Sequence, residues 1–189
     1  MSNTLLTPEE LAGLKLSITT KQALNKEEHL NIAAAQAYFF SQRFLRKEHE
    51  MSEGFLLKLH QKMFGDVWKW AGYYRTQDKN IGVPFYKIRE QMKLFLLDAE
   101  YWRQSFVVEE YAVRFHHRLV QIHPFANGNG RHARMVADFI LFSKRHQCLG
   151  WGGGTIQEMG ILRKKYIQAL KKADNGNFED LMAFAMDGI

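Results

Sequence analysis

Apolar residues in this chain recur mostly at helical spacing, and the exceptions are as informative as the rule. Thr7-Pro8-Glu9-Glu10 has the spacing of a capping box with proline at the first helical position, so a short helix is expected to Gly13. Leu16 to Gln22 reads as an extended connector. Asn25 and Glu28 repeat the capping-box spacing and predict a long helix to about Arg46, with Tyr38, Phe39 and Phe44 on its apolar side. Phe55 to Phe64 is amphipathic through Leu56, Leu57, Leu59 and Met63. The period then breaks. "WAGYYRTQDKNIGVPFYKI", Trp70 to Ile88, mixes two glycines and a proline with short β-type pieces and predicts a small hairpin or extended flap. Helical periodicity resumes over Glu90–Gln104, Val108–Ile122 and from Asn129 through "RHARMVADFILFSKRH". "LGWGGG" interrupts it as a flexible connector, and two further helices are expected at Ile156–Ala173 and Phe178–Met186. The expected fold is mainly α: a compact bundle of about seven helices with one small β-hairpin flap. The chain 1–189 reads as a single domain, with 1–20 an N-terminal arm and connector.

The 189 residues are 46% hydrophobic and 13% aromatic, enough to build one core. The single cysteine, Cys148, excludes an internal disulfide framework and suits a reducing cytoplasm. Residues 1–15 carry Glu9 and Glu10 and no continuous apolar stretch, so no signal segment is expected. No apolar run reaches the about 18 residues of a membrane span. The net charge of +6 is compatible with phosphate-bearing ligands, nucleic acid or an acidic partner. Its clusters, Lys144-Arg145 and Arg163-Lys164-Lys165, read as solvated helix faces, which makes a nucleic-acid partner unlikely.

The chemistry concentrates in "IHPFANGNGRHAR", Ile122 to Arg134. One helix ends at its start and another begins near Asn129. The first turn of a helix carries unpaired N–H groups and partial positive charge. Gly128 and Gly130 let a ligand approach those groups without a Cβ in the way, so Gly128-Asn129-Gly130 reads as an anion site, with phosphate its usual occupant. Arg131 and Arg134, three apart, project to one side and add bidentate donors, which suits a di- or triphosphate. His123, fixed between a helix end and Pro124, is the natural general base near neutral pH. Together these residues describe nucleotidyl or phosphoryl transfer to a side-chain hydroxyl.

"HPFANGNGRHAR" resembles the Fic/Doc signature, His-Pro-Phe-x-(Asp/Glu)-Gly-Asn-Gly-Arg-x-x-Arg. "GYYRTQDKNIG", Gly72 to Gly82, is similar to the strand pair of the Fic target-docking flap, and "YIQALKKADNGNFEDLMAFA" resembles the closing helices. With "FGDVWKWAG" and "TPEELAGLK", the whole chain looks like the subgroup called mobile mystery protein B, which implies a bacterial, cytoplasmic protein. The resemblance implies a protein adenylyltransferase that moves AMP from ATP to a Ser, Thr or Tyr hydroxyl of a target protein. It makes His123 the base, Gly128, Asn129 and Gly130 the hole for the inner phosphates, and Arg131 and Arg134 the holders of the outer ones. Phe125 becomes a core anchor, and Asn80, Ile81 and Gly82 the target-docking edge. It also implies Mg²⁺ or Mn²⁺, and a separate regulatory partner protein.

The chain departs from the signature at Asn127, where the family has an acidic Mg²⁺ ligand. An amide oxygen can ligate Mg²⁺ but brings no charge, and the same residue also reads as a cap of the loop. Two function classes therefore stay open. One is the transferase, with ATP or another phosphate-containing donor. The other is a catalytically weak Fic-fold module that binds nucleotide or protein. The inhibitory motif (Ser/Thr)-x-x-x-Glu-(Gly/Asn) is absent. Glu28 on the first long helix suits a similar role, though the capping-box spacing explains it more simply. His116, His117, His123 and His132 lack the spacing of a zinc site, and one of the adjacent pair is expected to be buried. Trp68 and Trp70 read as core.

Overall fold

The computed structural model describes residues 5–153 and 160–187. Among these, nine α-helices and one short 3-10 turn form the fold: α1 Pro8–Gly13, α2 Lys21–Phe39, α3 Gln42–Leu45, α4 Glu53–Phe64, the 3-10 turn Phe85–Lys87, α5 Ile88–Ser105, α6 Val108–Ile122, α7 Asn129–Arg145, α8 Gly160–Ala173 and α9 Glu179–Met186. The mainly helical expectation holds. The start of the helix expected from Ile156 lies outside the described residues.

The capping box at Thr7 forms as expected. Glu10 N–H donates to Thr7 Oγ1, and Thr7 N–H donates to Glu10 Oε2 at 2.8 Å. The one expected at Asn25 does not. α2 starts five residues earlier, where Thr20, extended at φ −116°, accepts from Ala23 N–H. That cap leaves Asn25 mid-helix and turns Glu28 inward with Leu24, Asn31, Ala35 and Phe39. The helix expected to run to Arg46 also breaks in two. Ser41 donates to the Tyr38 carbonyl and caps Phe44 N–H, and the bend brings Phe44 against Phe39 at 4.9 Å.

α6 and α7 are the centre of the molecule. α6 packs most extensively on α7, with α5 and α9 against α6 and α4 against α7. Val113, Phe115, Leu119 and Ile122 of α6 and Val136 and Phe139 of α7 are almost wholly buried. α2 lies on α4, and Phe39, Phe55 and Phe139 lock edge to face across α2, α4 and α7. The N-terminal connector docks beside the end of α4 through Lys15 N–H to the Val67 carbonyl and Lys15 Nζ to that of Gly65. The described part of "LGWGGG" is anchored rather than loose. Trp151 is buried, its Nε1 donates to Asp138 at 2.9 Å, and Gly150 N–H donates to the Ala185 carbonyl. Trp68 is buried and stacks on the partly buried Trp70 at 4.9 Å.

The β-hairpin is the main correction. Among the described residues, Gly72 to Pro84 forms bends and turns with one isolated bridge, Tyr74 to Phe125. Its backbone groups pair with the α6–α7 loop instead of with each other: Arg75 N–H donates to the Pro124 carbonyl and Val83 N–H to that of Ile122. A hairpin would have taken those groups for its own ladder.

Candidate active site

The loop from α6 to α7 is built from strained and buried pieces. His123 ends α6 in the left-handed region, φ 56° and ψ 58°, where its N–H still reaches the Leu119 carbonyl. A non-glycine residue there costs about 1–3 kcal/mol and persists only when its surroundings fix it. Phe125 is fully buried and stacks on His60 at 3.6 Å with the rings nearly parallel. The His60 ring also determines its own tautomer. Nδ1 accepts from Gly72 N–H, so Nε2 donates to the Asn127 carbonyl at 3.2 Å. Burial holds His60 neutral, well below the usual histidine range, and the neighbouring His132 ring and the Arg131 guanidinium further disfavour a charge there.

Asn129 is buried and clamps the loop rather than facing a ligand. Its Oδ1 accepts from Phe125 N–H and its Nδ2 donates to the Phe125 carbonyl, both at 2.9 Å. What it offers an anion is its backbone N–H. Gly128 stands at φ 78°, and a Cβ there would lie 2.5 Å from the Phe64 ring. A Cβ at Gly130 would meet open space. No side chain caps the N-terminus of α7, so its first-turn N–H groups remain available to an anion.

His123 is half-buried, and its Nδ1 is buried without a hydrogen-bond partner among the described residues. Its pKa is lowered chiefly by burial. The Val120 carbonyl opposes that shift, and the positive charges of Arg75 and Lys79 add to it. The imidazole is therefore neutral at pH 7, the state a base needs. Asn80, Ile81 and Gly82 lie exposed beside it, Ile81 at 61%. Gly82 is so close that a Cβ on it would lie 2.5 Å from the His123 Cβ.

Arg131 and Arg134 line one pocket of about 170 Å³ with Ile32, Gln36, Met63, Met135 and Asp138. Arg131 is already engaged. Its Nη1 is 2.6 Å from Glu28 Oε2, and its guanidinium lies over the Phe64 ring. The other Glu28 oxygen accepts from Trp68 Nε1 at 2.6 Å. Arg134 is half-buried. Burial alone lifts the Asp138 carboxyl to about 6, against the lowering effect of Trp151, Leu149 and Arg134.

The loop offers a divalent cation little. Asn127 Oδ1 sits 2.7 Å from Gly128 N and accepts its N–H, and the motif holds no carboxylate. Among the described residues no three His, Cys, Asp or Glu side chains converge on a metal position. These residues do not fit a cation held by the protein.

Sequence reasoning missed two participants, Arg75 and His60, and read a third, Glu28, more simply as part of a cap. Glu28 was legible, since it continues the buried face Leu24, Asn31, Ala35 at helical spacing. Arg75, between the aromatics of "YYRT" and the polar "TQDKN", carried no periodic signal. His60 falls on the buried face of α4 with Leu56, Met63 and Phe64, but its partners lie 12 and 67 residues away. Of the adjacent histidines both are buried: His116 meets the Tyr166 hydroxyl and His117 meets Asp174.

Residues 50–141 match the Fic/DOC family model. Among similar proteins, the protein adenylyltransferase Fic of Culex quinquefasciatus is 26% identical over 92% of this chain and 34% of its own length. That of Nematostella vectensis is 25% identical over 96% of this chain and 42% of its own. The chain thus spans well under half the length of these relatives. The structure of Fic-1 from C. elegans (residues 134–508, E274G) superposes with TM-score 0.68 at 25% identity, covering 97% of this chain and 55% of that one. BepC from Bartonella tribocorum, solved with bound AMPPNP, shares the fold at TM-score 0.69 and 17% identity, over 98% of this chain and 92% of that one. None of these carries the name of the mobile mystery protein B subgroup. The motif residues His123 to Arg134 lie inside the matched segment, so the chain's likeness to the Fic/DOC family runs through the candidate site.

Proposed function

We propose that this protein is a Fic-type adenylyltransferase that transfers AMP from ATP to a Ser, Thr or Tyr hydroxyl of a target protein, the whole chain 1–189 acting as one Fic unit. The observation that carries this reading is a half-buried histidine beside the N-terminus of a helix that no side chain caps among the described residues, next to an exposed backbone edge. His123 takes the proton from the incoming hydroxyl. The oxygen then bonds to the α-phosphorus, and the bond from that phosphorus to the pyrophosphate oxygen breaks. The N–H groups at Asn129 and Gly130, joined by that of Gly128 once Asn127 Oδ1 gives it up, hold the inner phosphates, where charge grows as pyrophosphate departs. Arg131 and Arg134 hold the outer phosphates. The edge at Asn80, Ile81 and Gly82 aligns the target segment by strand addition. Mg²⁺ or Mn²⁺ arrives bound to ATP, with Asn127 at most a neutral ligand.

The test uses ATP labelled at the α- or the γ-phosphate, incubated with the protein, Mg²⁺ and cell lysate. Label is expected on protein from the α-position alone. His123→Ala is expected to lower transfer by about 10²–10⁴-fold with ATP binding retained. The acid limb of the native pH–rate profile is expected below the usual histidine value, because His123 is held neutral. Full transfer by His123→Ala would overturn the reading.

A second reading is a weakly catalytic nucleotide-binding module. Two observations favour it: Asn127 spends its oxygen on Gly128 N–H, and Glu28 occupies Arg131. Tight ATP binding in calorimetry without any transferred label would select it. Release of Arg131 by a separate regulatory protein would reconcile the two readings.

A further inference from the structure

Arg75 is a charged side chain almost removed from water, 5% exposed, in a segment otherwise open to solvent. Its guanidinium is spent almost wholly on backbone carbonyls. Nε donates to the His123 carbonyl at 2.8 Å, Nη1 to that of Gln77 at 2.8 Å, and Nη2 to that of Val83. Asp78, the one carboxylate paired with it among the described residues, is 3.7 Å away and largely exposed. A buried cation held by neutral carbonyls is costly unless the geometry satisfies every donor. A planar fork directs Nε, Nη1 and Nη2 at three carbonyls at once, and an ammonium cannot. The three carbonyls belong to the middle of the flap loop at Gln77, to its end at Val83, and to the non-glycine residue of the active-site loop with left-handed backbone, His123. Arg75 N–H to the Pro124 carbonyl and Val83 N–H to that of Ile122 flank the fork on either side.

We propose that Arg75 is a positioning residue, whose three-carbonyl fork holds His123 in its left-handed backbone and fixes the flap edge against it as one unit. The base and the edge that aligns the target are then set at one distance by a single side chain. This also explains why the flap needs no hairpin ladder: the guanidinium supplies the donors that a second strand would have supplied. The charge of Arg75 beside the imidazole further disfavours protonation of His123. The role in catalysis rests on the transferase reading. The positioning itself does not.

The experiment reads both parts on the full chain by NMR, with Arg75→Lys and Arg75→Gln. Lysine keeps the charge and loses the fork; glutamine loses both. Amide exchange at residues 75 and 83 is expected to speed up by about tenfold or more in both variants, while Leu119 and Ala137 in the α6–α7 core keep their protection. The His123 ring is expected to titrate at higher pH in Arg75→Gln than in the native chain. Native exchange at 75 and 83 together with a native His123 titration would overturn the proposal. So would equal loss of protection at Leu119 and Ala137, which would make Arg75 a general prop of the fold. Retention of flap protection in Arg75→Lys would overturn the fork, since charge alone would then suffice. Neither readout uses ATP or a target, so failure of the transferase reading is separately visible in the labelling assay. Under that reading both variants lower kcat, with KM for ATP unchanged.

Discussion

At the scale of single residues, the motif divides into groups that face a ligand and groups that hold the loop. Gly130 belongs to the first, with open space where a Cβ would be. Gly128 belongs to the second. Its positive φ and the Phe64 ring both exclude a side chain, for reasons unconnected with phosphate. Gly128→Ala is expected to destabilise the protein by about 2 kcal/mol through overpacking and backbone strain, whether or not nucleotide is present. Thermal unfolding with and without ATP checks this, and a variant that loses only ATP affinity would move Gly128 into the ligand-facing group. Asn129 divides within itself, its amide spent on Phe125 and its N–H left at the helix mouth.

Between elements, Glu28 is the tie from α2 to the start of α7. It is 6% exposed and holds Arg131 from one oxygen and Trp68 from the other. An arginine held by a carboxylate in partial burial must exchange that partner to receive a phosphate. Glu28→Gln keeps an acceptor for Trp68 but removes the charge facing Arg131. Stability is expected to fall by about 2 kcal/mol, the worth of a hydrogen bond to a charged group. ATP affinity is expected to rise, because Arg131 no longer has a competing anion. Melting and calorimetry on the same variant separate the two effects. Lower stability with unchanged ATP affinity would mean that Arg131 is a fastener of α2 and not a phosphate ligand.

Across the whole molecule, the core is unusually rich in uncharged histidine. His60, His116 and His132 are at most 0% exposed, and burial pushes the last two down to about 3 and His60 well below its usual value. Groups whose folded pKa is depressed take up protons on unfolding, so the stability they contribute is present above about pH 6.5 and is lost as pH falls below it. Asp138, raised to about 6, works in the opposite sense between its ordinary value and that pH, because there the folded chain holds the extra proton. Three protons gained and one released leave a net of about two on unfolding near pH 5. Stability is therefore expected to fall by about 3 kcal/mol per pH unit on acidification there. Denaturant melts between pH 7 and pH 5 measure this. A flat profile would mean that these rings are already solvated and charged in the folded chain.

The sequence alone determined the mainly helical class and, among the described residues, the helices from α4 onward to within a few residues, and it singled out His123 to Arg134 as the candidate set. Each is a local matter of period, capping or spacing, and the motif is contiguous. Even Glu28 was legible as a carboxylate on an apolar helical face, although the nearby asparagine offered a cap that Thr20 pre-empted. The tertiary structure decided the rest. Whether Trp70 to Ile88 pairs with itself or with the α6–α7 loop depends on where Arg75 finds its carbonyls, and two of those three lie outside its own turn. Whether Asn127 serves a cation or its own loop depends on the backbone at Gly128. Whether Arg131 is free depends on a residue 103 positions earlier. Such contacts carry no periodic trace, because the spacing between partners is set by the path of the whole chain and not by the repeat of any element.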